Sequence, residues 1–192
     1  MPLSEETRAK IARELENYPR RRSAYLPALR LAQAEVGYLG PETLGEVGDL
    51  IDADPNALAM LVTFYDLLFG EPVGQKVLGV CDGFSCRLVG SFDVIEALKE
   101  RLGVDFDGTS ADGAFTLKRM ECLAACQLGP CMIVNTDSYV GNLKPDNLAA
   151  TLAWLRQQAT VGDHGPWLES HIDARVVAGG SASQDTGQGK VS

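Results

Sequence analysis

At 192 residues and 20.6 kDa the chain has room for one medium domain or two small ones, and at this size about 70% of the unfolded surface is buried without disulfide staples. Its composition, 45% hydrophobic and 22% charged, disfavours collagen, coiled coil and wholesale disorder. A net charge of -9 and a pI near 4.7 speak against nucleic acid as the main partner, because phosphate binding draws on clustered Lys and Arg.

The amino terminus, Met1 to Asn17, is charged and amphipathic and lacks an apolar core of signal-peptide length; no apolar run of membrane-spanning length occurs anywhere. The expected compartment is the reducing cytosol, with no direct membrane span. Cysteines there serve as metal ligands or redox groups more readily than as disulfides. From Leu3 to about Gly70 the pattern is helical, cut into four short helices by breakers at Pro19, Gly37, Gly40 and Gly70. The segment Ser23 to Val36 tolerates Pro27 because it falls in a first turn, where no intrahelical bond is lost. In the last helix Asp54 is an N-cap and Pro55 suits the first position. Leu58, Leu61, Val62, Tyr65, Leu68 and Phe69 then share one face, which carries the expected helix as far as Phe69.

After Gly70 and Pro72 the texture changes, and a domain boundary is expected near residues 70–74. The run Gln75 to Val80 predicts a buried strand leading into Cys81. A helix follows over Ser91 to Leu102, with Val94, Ile95, Leu98 and Leu102 facing inward. Phe115 to Leu117 and Met132 to Val134 read as strands, and Pro145 opens a last helix carrying Leu148, Leu152 and Leu155 at helical spacing. The order strand, helix, strand, strand, helix predicts a small α/β layer covered by helices. Beyond Thr160 the chain is rich in Gly, Ser and polar residues, and a mostly disordered tail is expected over 161–192.

Five cysteines stand against two histidines, and both histidines, His164 and His171, lie in that tail. Four cysteines form two pairs, Cys81 with Cys86 (C-x4-C) and Cys122 with Cys126 (C-x3-C), each following a predicted strand. Residues 87–121 separate the pairs. Structural zinc prefers the C-x2-C knuckle and seldom spans a whole helix between pairs. A dithiol redox centre would use C-x2-C, which is absent. A [2Fe-2S] cluster takes four thiolates and tolerates wider loops, so it fits best. Without histidine in the first 163 residues, a Rieske centre is excluded, and hydrolases that need an imidazole base are disfavoured. Gly79, Gly83, Gly90 and Gly129 flank the pairs; they either let backbone N–H groups approach the sulfurs or simply make turns. The fifth cysteine, Cys131, opens a strand and is expected to be a buried free thiol outside the site.

These residues also resemble a family, the 24 kDa [2Fe-2S] subunit of respiratory NADH-quinone oxidoreductase, the E subunit of bacteria. The resemblance spans roughly residues 5–158. It rests on Tyr18-Pro19, Ser23-Ala24, Leu26-Pro27-Ala28-Leu29, Gln33, Thr63-Phe64-Tyr65, Pro72-Val73-Gly74, Val80-Cys81, Cys86, Gly90, Asp112-Gly113, Phe115-Thr116-Leu117, Glu121-Cys122-Leu123, Cys126 and Gly129-Pro130. It implies an α+β chain: an N-terminal helical bundle (1–72), then a thioredoxin-like α/β domain (73–160) carrying one [2Fe-2S] cluster on Cys81, Cys86, Cys122 and Cys126, then the tail (161–192). Two positions depart from the family pattern: Ala124 stands where glycine is usual, and Cys131 where an apolar residue is common.

No G-x-G-x-x-G follows a strand, and the tail's Gly189-Lys190 lacks the rest of a P-loop. A [2Fe-2S] centre moves one electron whereas NADH yields a hydride, so a flavin must split the pair. The resemblance therefore implies an electron-transfer role, accepting one electron from the FMN of a partner NADH-oxidising subunit, with no catalytic residues in this chain. Further iron-sulfur subunits and a peripheral place on the inner face of the membrane are implied with it. The rival reading is the equivalent part of an NAD-linked hydrogenase or formate dehydrogenase diaphorase module; a zinc-stabilised interaction module is the alternative from another class. The run Arg20-Arg21-Arg22 reads as a solvated face or a docking contact.

Overall fold

The structure is a computed structural model that describes residues 2–157; the tail predicted at 161–192 lies outside the described residues. The amino-terminal part holds four helices, α1 (Glu5–Glu16), α2 (Tyr25–Val36), α3 (Pro41–Ile51) and α4 (Pro55–Phe64). Each begins where local chemistry favours it. The Ser4 hydroxyl accepts the Thr7 N–H at the start of α1, Pro41 follows Gly40 at α3, and Asp54 accepts the Asn56 N–H ahead of Pro55 at α4. Their apolar faces bury Ile11, Leu29, Val47, Ile51 and Leu58 in one core.

The helix α4 ends at Phe64, five residues short of the expected end, and Tyr65 is extended. Tertiary hydrogen bonds outweigh the helical pattern here. Gln33, buried on α2, donates from Nε2 to the Leu67 carbonyl at 2.9 Å and accepts the Phe69 N–H at 2.7 Å, while the Leu39 N–H donates to the Phe69 carbonyl at 2.6 Å. These bonds take over backbone groups that a longer helix would have satisfied. Leu68 and Phe69 are buried as expected, but from a loop folded back over α2.

The second part contains β1 (Lys76–Cys81), α5 (Phe84–Leu88), α6 (Ser91–Leu102), β2 (Phe115–Met120), β3 (Met132–Val134), β4 (Ser138–Val140) and α7 (Leu148–Gln157). The sheet order is β2-β1-β3-β4, with β1 parallel to β2 and antiparallel to β3. The helix α6 makes the crossover that a parallel pair requires. Leu78, Val80, Phe115, Leu117 and Met132 pack with Val94, Ile95 and Leu98 of α6 and Leu148, Leu152 and Leu155 of α7.

Three local features differ from the sequence expectation. A short helix, α5, starts inside the C-x4-C segment and runs past Cys86 to Leu88. The strand β4 is an added partner of β3, too short to show an alternating pattern. The helix α7 starts three residues after Pro145, because Asn147 caps it: the Asn147 carbonyl accepts the Thr151 N–H at 3.0 Å, and the Asn147 side chain bridges Lys144 N–H and the Asn142 carbonyl.

Candidate metal centre

The parallel register pairs Cys81 with Met120, so β1 and β2 end side by side at one edge of the sheet. Cys81 is the last residue of β1, and Asp82-Gly83 leads into α5, which carries Cys86. Cys122 follows β2 by two residues, and Cys126 opens a short 3-10 turn. All four predicted residues thus gather at the carboxyl end of the parallel strands, where open α/β sheets place their ligand sites.

Within this edge, the four split into two buried and two exposed residues. Cys81 and Cys86 are buried; Cys122 and Cys126 face solvent. The Sγ atoms of Cys81, Cys86 and Cys131 all lie within 4.8 Å of one another, a triad that does not include Cys122 or Cys126. The two loops nonetheless lie close: Gly83, two residues after Cys81, packs against the Glu121 carbonyl and the Cys122 side chain. The Ala124 N–H reaches the Cys122 sulfur at 3.5 Å.

The buried thiols are electrostatically uneven. Burial pushes the Cys81 thiol up, but the N–H groups of Gly83 and Leu123 and the thiols of Cys86 and Cys131 outweigh it, leaving Cys81 below its ordinary value. Cys86 is pushed up, by burial first and then by its neighbour Cys81. Cys131 is pushed up by burial, with the charges of Cys86 and Cys81 adding to it. Cys81 is therefore the readiest thiolate of the three, and thiolates are what a metal binds.

The flanking glycines divide between the two readings. A Cβ on Gly83 would stand 2.7 Å from the Glu121 carbonyl oxygen and 3.5 Å from both Cys122 Cβ and Cys81 Sγ, and one on Gly129 would stand 3.4 Å from Cys86 Sγ. These two permit close approach of the loops. Gly90 has φ +100° with open space around it, so it serves a turn. Ala124, in the position where the resemblance implies glycine, takes φ +54°. That left-handed conformation costs an L-residue about 1–2 kcal/mol.

An acidic side chain absent from the sequence expectation braces the same edge. Asp82, buried directly after Cys81, has Oδ1 2.6 Å from Arg87 Nε, Oδ2 2.7 Å from Arg87 Nη2, and Oδ2 2.7 Å from Arg119 Nε. It thereby ties α5 to the end of β2. The hydrogen bond from Arg87 outweighs burial and, with the charges of Arg87 and Arg119, holds the carboxyl below its ordinary range. A depressed carboxyl adds stability that is present above the unfolded value of about 3.9 and is lost as the pH falls through the lower folded value. Both guanidinium groups are about half exposed, so Asp82→Asn is expected to cost about 1–2 kcal/mol at pH 7. Urea denaturation of the two proteins stripped of metal checks this: the midpoints separate at pH 7 and converge as the pH falls below about 4.

Sequence reasoning placed Cys131 outside the site, and the structure places it against Cys81 and Cys86. The Cys81 N–H donates to the Cys131 carbonyl at 3.0 Å across the β1–β3 edge. That juxtaposition follows from strand order, which the cysteine spacing does not carry.

The donor set of soft sulfurs, the N–H groups aimed at them and the two glycines that keep the loops close fit an iron-sulfur cluster. The fold and site together define a small α/β protein with a cysteine-built metal centre at the sheet edge. The sequence matches the thioredoxin-like [2Fe-2S] ferredoxin family over residues 11–156. The E 2 subunit of NADH-quinone oxidoreductase from Rhizobium meliloti (strain 1021) is 42% identical over 156 residues, which cover 81% of this chain and 90% of that protein. The E subunit of NADH-quinone oxidoreductase from Pseudomonas aeruginosa is 31% identical over 150 residues, 78% of this chain and 90% of that one. Among solved structures, an NAD+-reducing [NiFe]-hydrogenase in the H2-reduced state matches with a TM-score of 0.61 at 17% identity, over 73% of this chain and 23% of that one, a likeness of fold. The chain belongs to the thioredoxin-like [2Fe-2S] ferredoxin family.

Proposed function

We propose that Cys81, Cys86, Cys122 and Cys126 hold one [2Fe-2S] cluster, and that the chain is the electron-transfer subunit of an NADH-quinone oxidoreductase. In this reading it takes one electron from the FMN of a partner NADH-oxidising subunit and works beside further iron-sulfur subunits. The observation that carries it is the meeting of the two cysteine loops, where Gly83, two residues past Cys81, lies against the Glu121 carbonyl and the Cys122 side chain. Bound there, the cluster supplies one-electron chemistry.

The chain's own residues prepare that site. The strand ends hold Cys81 and the Cys122 loop at one edge, Gly83 lets the loops close, and Asp82 clamps α5 to β2. N–H groups on the sulfurs stabilise thiolate over thiol. The buried pair keeps water from one side, while the exposed pair opens the site to a partner. Beside them Phe84 and Leu88 of α5, with Val89 and Phe92, expose apolar surface, which suits a seat on another subunit.

The 42% identity to an E subunit, over nine-tenths of its length, favours the quinone-linked complex over a hydrogenase module, for which the support is a fold likeness. No described helix is long and apolar enough to cross a membrane, so the place at the membrane's inner face, on the cytoplasmic side, would come through the complex.

The test is anaerobic purification with iron and acid-labile sulfide assays and EPR after dithionite. Two irons per chain and a spin-half signal that Cys122→Ser abolishes are expected; zinc in place of iron, or a signal that survives the substitution unchanged, would sink the reading. Subunits that copurify from the native source separate the quinone-linked complex from its rivals.

A further inference from the structure

The sulfur of Cys131 stands 3.9 Å from that of Cys86. Two thiolates on one tetrahedral metal with bonds of about 2.3 Å lie about 3.8 Å apart. The pair thus already has the spacing of one edge of a metal tetrahedron, and Cys81, within 4.8 Å of both, completes a face. The three sulfurs come from three separate elements: the end of β1, the helix α5 and the residue before β3. The Cys81 N–H to Cys131 carbonyl bond, at 3.0 Å, fixes the outer two relative to each other. Cys131 is fully buried, and its sulfur also lies 3.8 Å from the Ala125 carbonyl.

We propose that Cys131 is a fifth, ligand-competent thiol that can take the place of Cys86 or Cys81 as a ligand of the cluster. The inference rests on the cluster reading above. The exchange is a ligand substitution without change of oxidation state. When Cys131 replaces Cys86, the iron–sulfur bond to Cys86 breaks and its thiolate takes up a proton; Cys131 releases a proton and forms the new bond. The site therefore holds its iron through the loss of either buried ligand.

The experiment compares the full chain with Cys86→Ser, Cys131→Ser and the double variant, and repeats the comparison with Cys81→Ser, alone and with Cys131→Ser. Far-UV circular dichroism establishes folding before iron, sulfide and the dithionite-reduced EPR spectrum are measured. A folded single variant is expected to keep more than about half of the parent's iron with shifted g-values, and its double variant to lose about fivefold or more. Cys131→Ser alone should leave the parent spectrum in place. Equal iron in single and double variants, in both series, overturns the proposal, whether both are empty or both loaded. A parent chain without a spin-half signal fails the underlying cluster reading instead, so the two failures are distinguishable.

Discussion

Gly83→Ala is expected to strip most of the iron and sulfide from the protein while leaving it folded. Gly83 has φ -67° and ψ 157°, which alanine adopts without strain, so the effect is one of space. The added methyl would meet the Glu121 carbonyl oxygen at 2.7 Å. That atom belongs to the backbone and cannot rotate away. Relief requires the segment leading to Cys122 to move off the segment leaving Cys81, and this is the separation the four proposed ligands must keep small. Overpacking of this kind costs about 1–3 kcal/mol, and borne by the bound state it weakens cluster binding by about fivefold to a hundredfold. The control is Gly90→Ala, where φ is +100° and the space is open. It should lower stability through backbone strain of about 1–2 kcal/mol yet keep the parent's iron content. Iron and sulfide per chain, measured on the two variants side by side, decide the matter: equal loading would show that the loops have slack at Gly83.

Gln33→Leu is expected to lower stability by about 2–4 kcal/mol, since it leaves two backbone groups, the Leu67 carbonyl and the Phe69 N–H, without partners in or near the core. Leucine nearly matches the volume of glutamine, so packing is largely kept and the loss is polar. Gln33 is 6% exposed, and the bond from the Phe69 N–H is buried. Unlike the Gly83 substitution, this one acts on the whole chain, because the loop it holds connects the helical core to β1 and so to Cys81. The urea midpoint should fall by about 1 M or more with the slope unchanged. A shift within a few tenths of a molar would mean that water reaches both groups.

Much of the fold was legible because its signals are local. The caps at Asp54 and Pro55, the inward face of α6 at Val94, Ile95 and Leu98, and the strand running into Cys81 all depend on neighbours within a few residues. Where distant partners intervene, the local pattern misleads. Tyr65, Leu68 and Phe69 keep helical spacing, yet Gln33 takes over the backbone of that segment and ends α4 at Phe64. The strand β4 is held by β3 across a turn, and nothing in its three residues announces it.

The chemistry of the site divides along the same line. The sequence by itself determined the donor type, because five cysteines with no histidine before residue 164 leave sulfur as the only soft ligand for a metal at this edge, and the two short spacings pair four of them. Only the tertiary structure decided how those sulfurs differ. Placing β3 beside β1 brings Cys131 against Cys81 and Cys86, and the parallel register of β1 and β2 brings Arg119 onto Asp82. Spacing along a chain fixes which residues can share a loop; which loops share a site depends on the order and direction of strands, and the hydrogen bonds that set that order join residues too far apart in sequence for any local pattern to record.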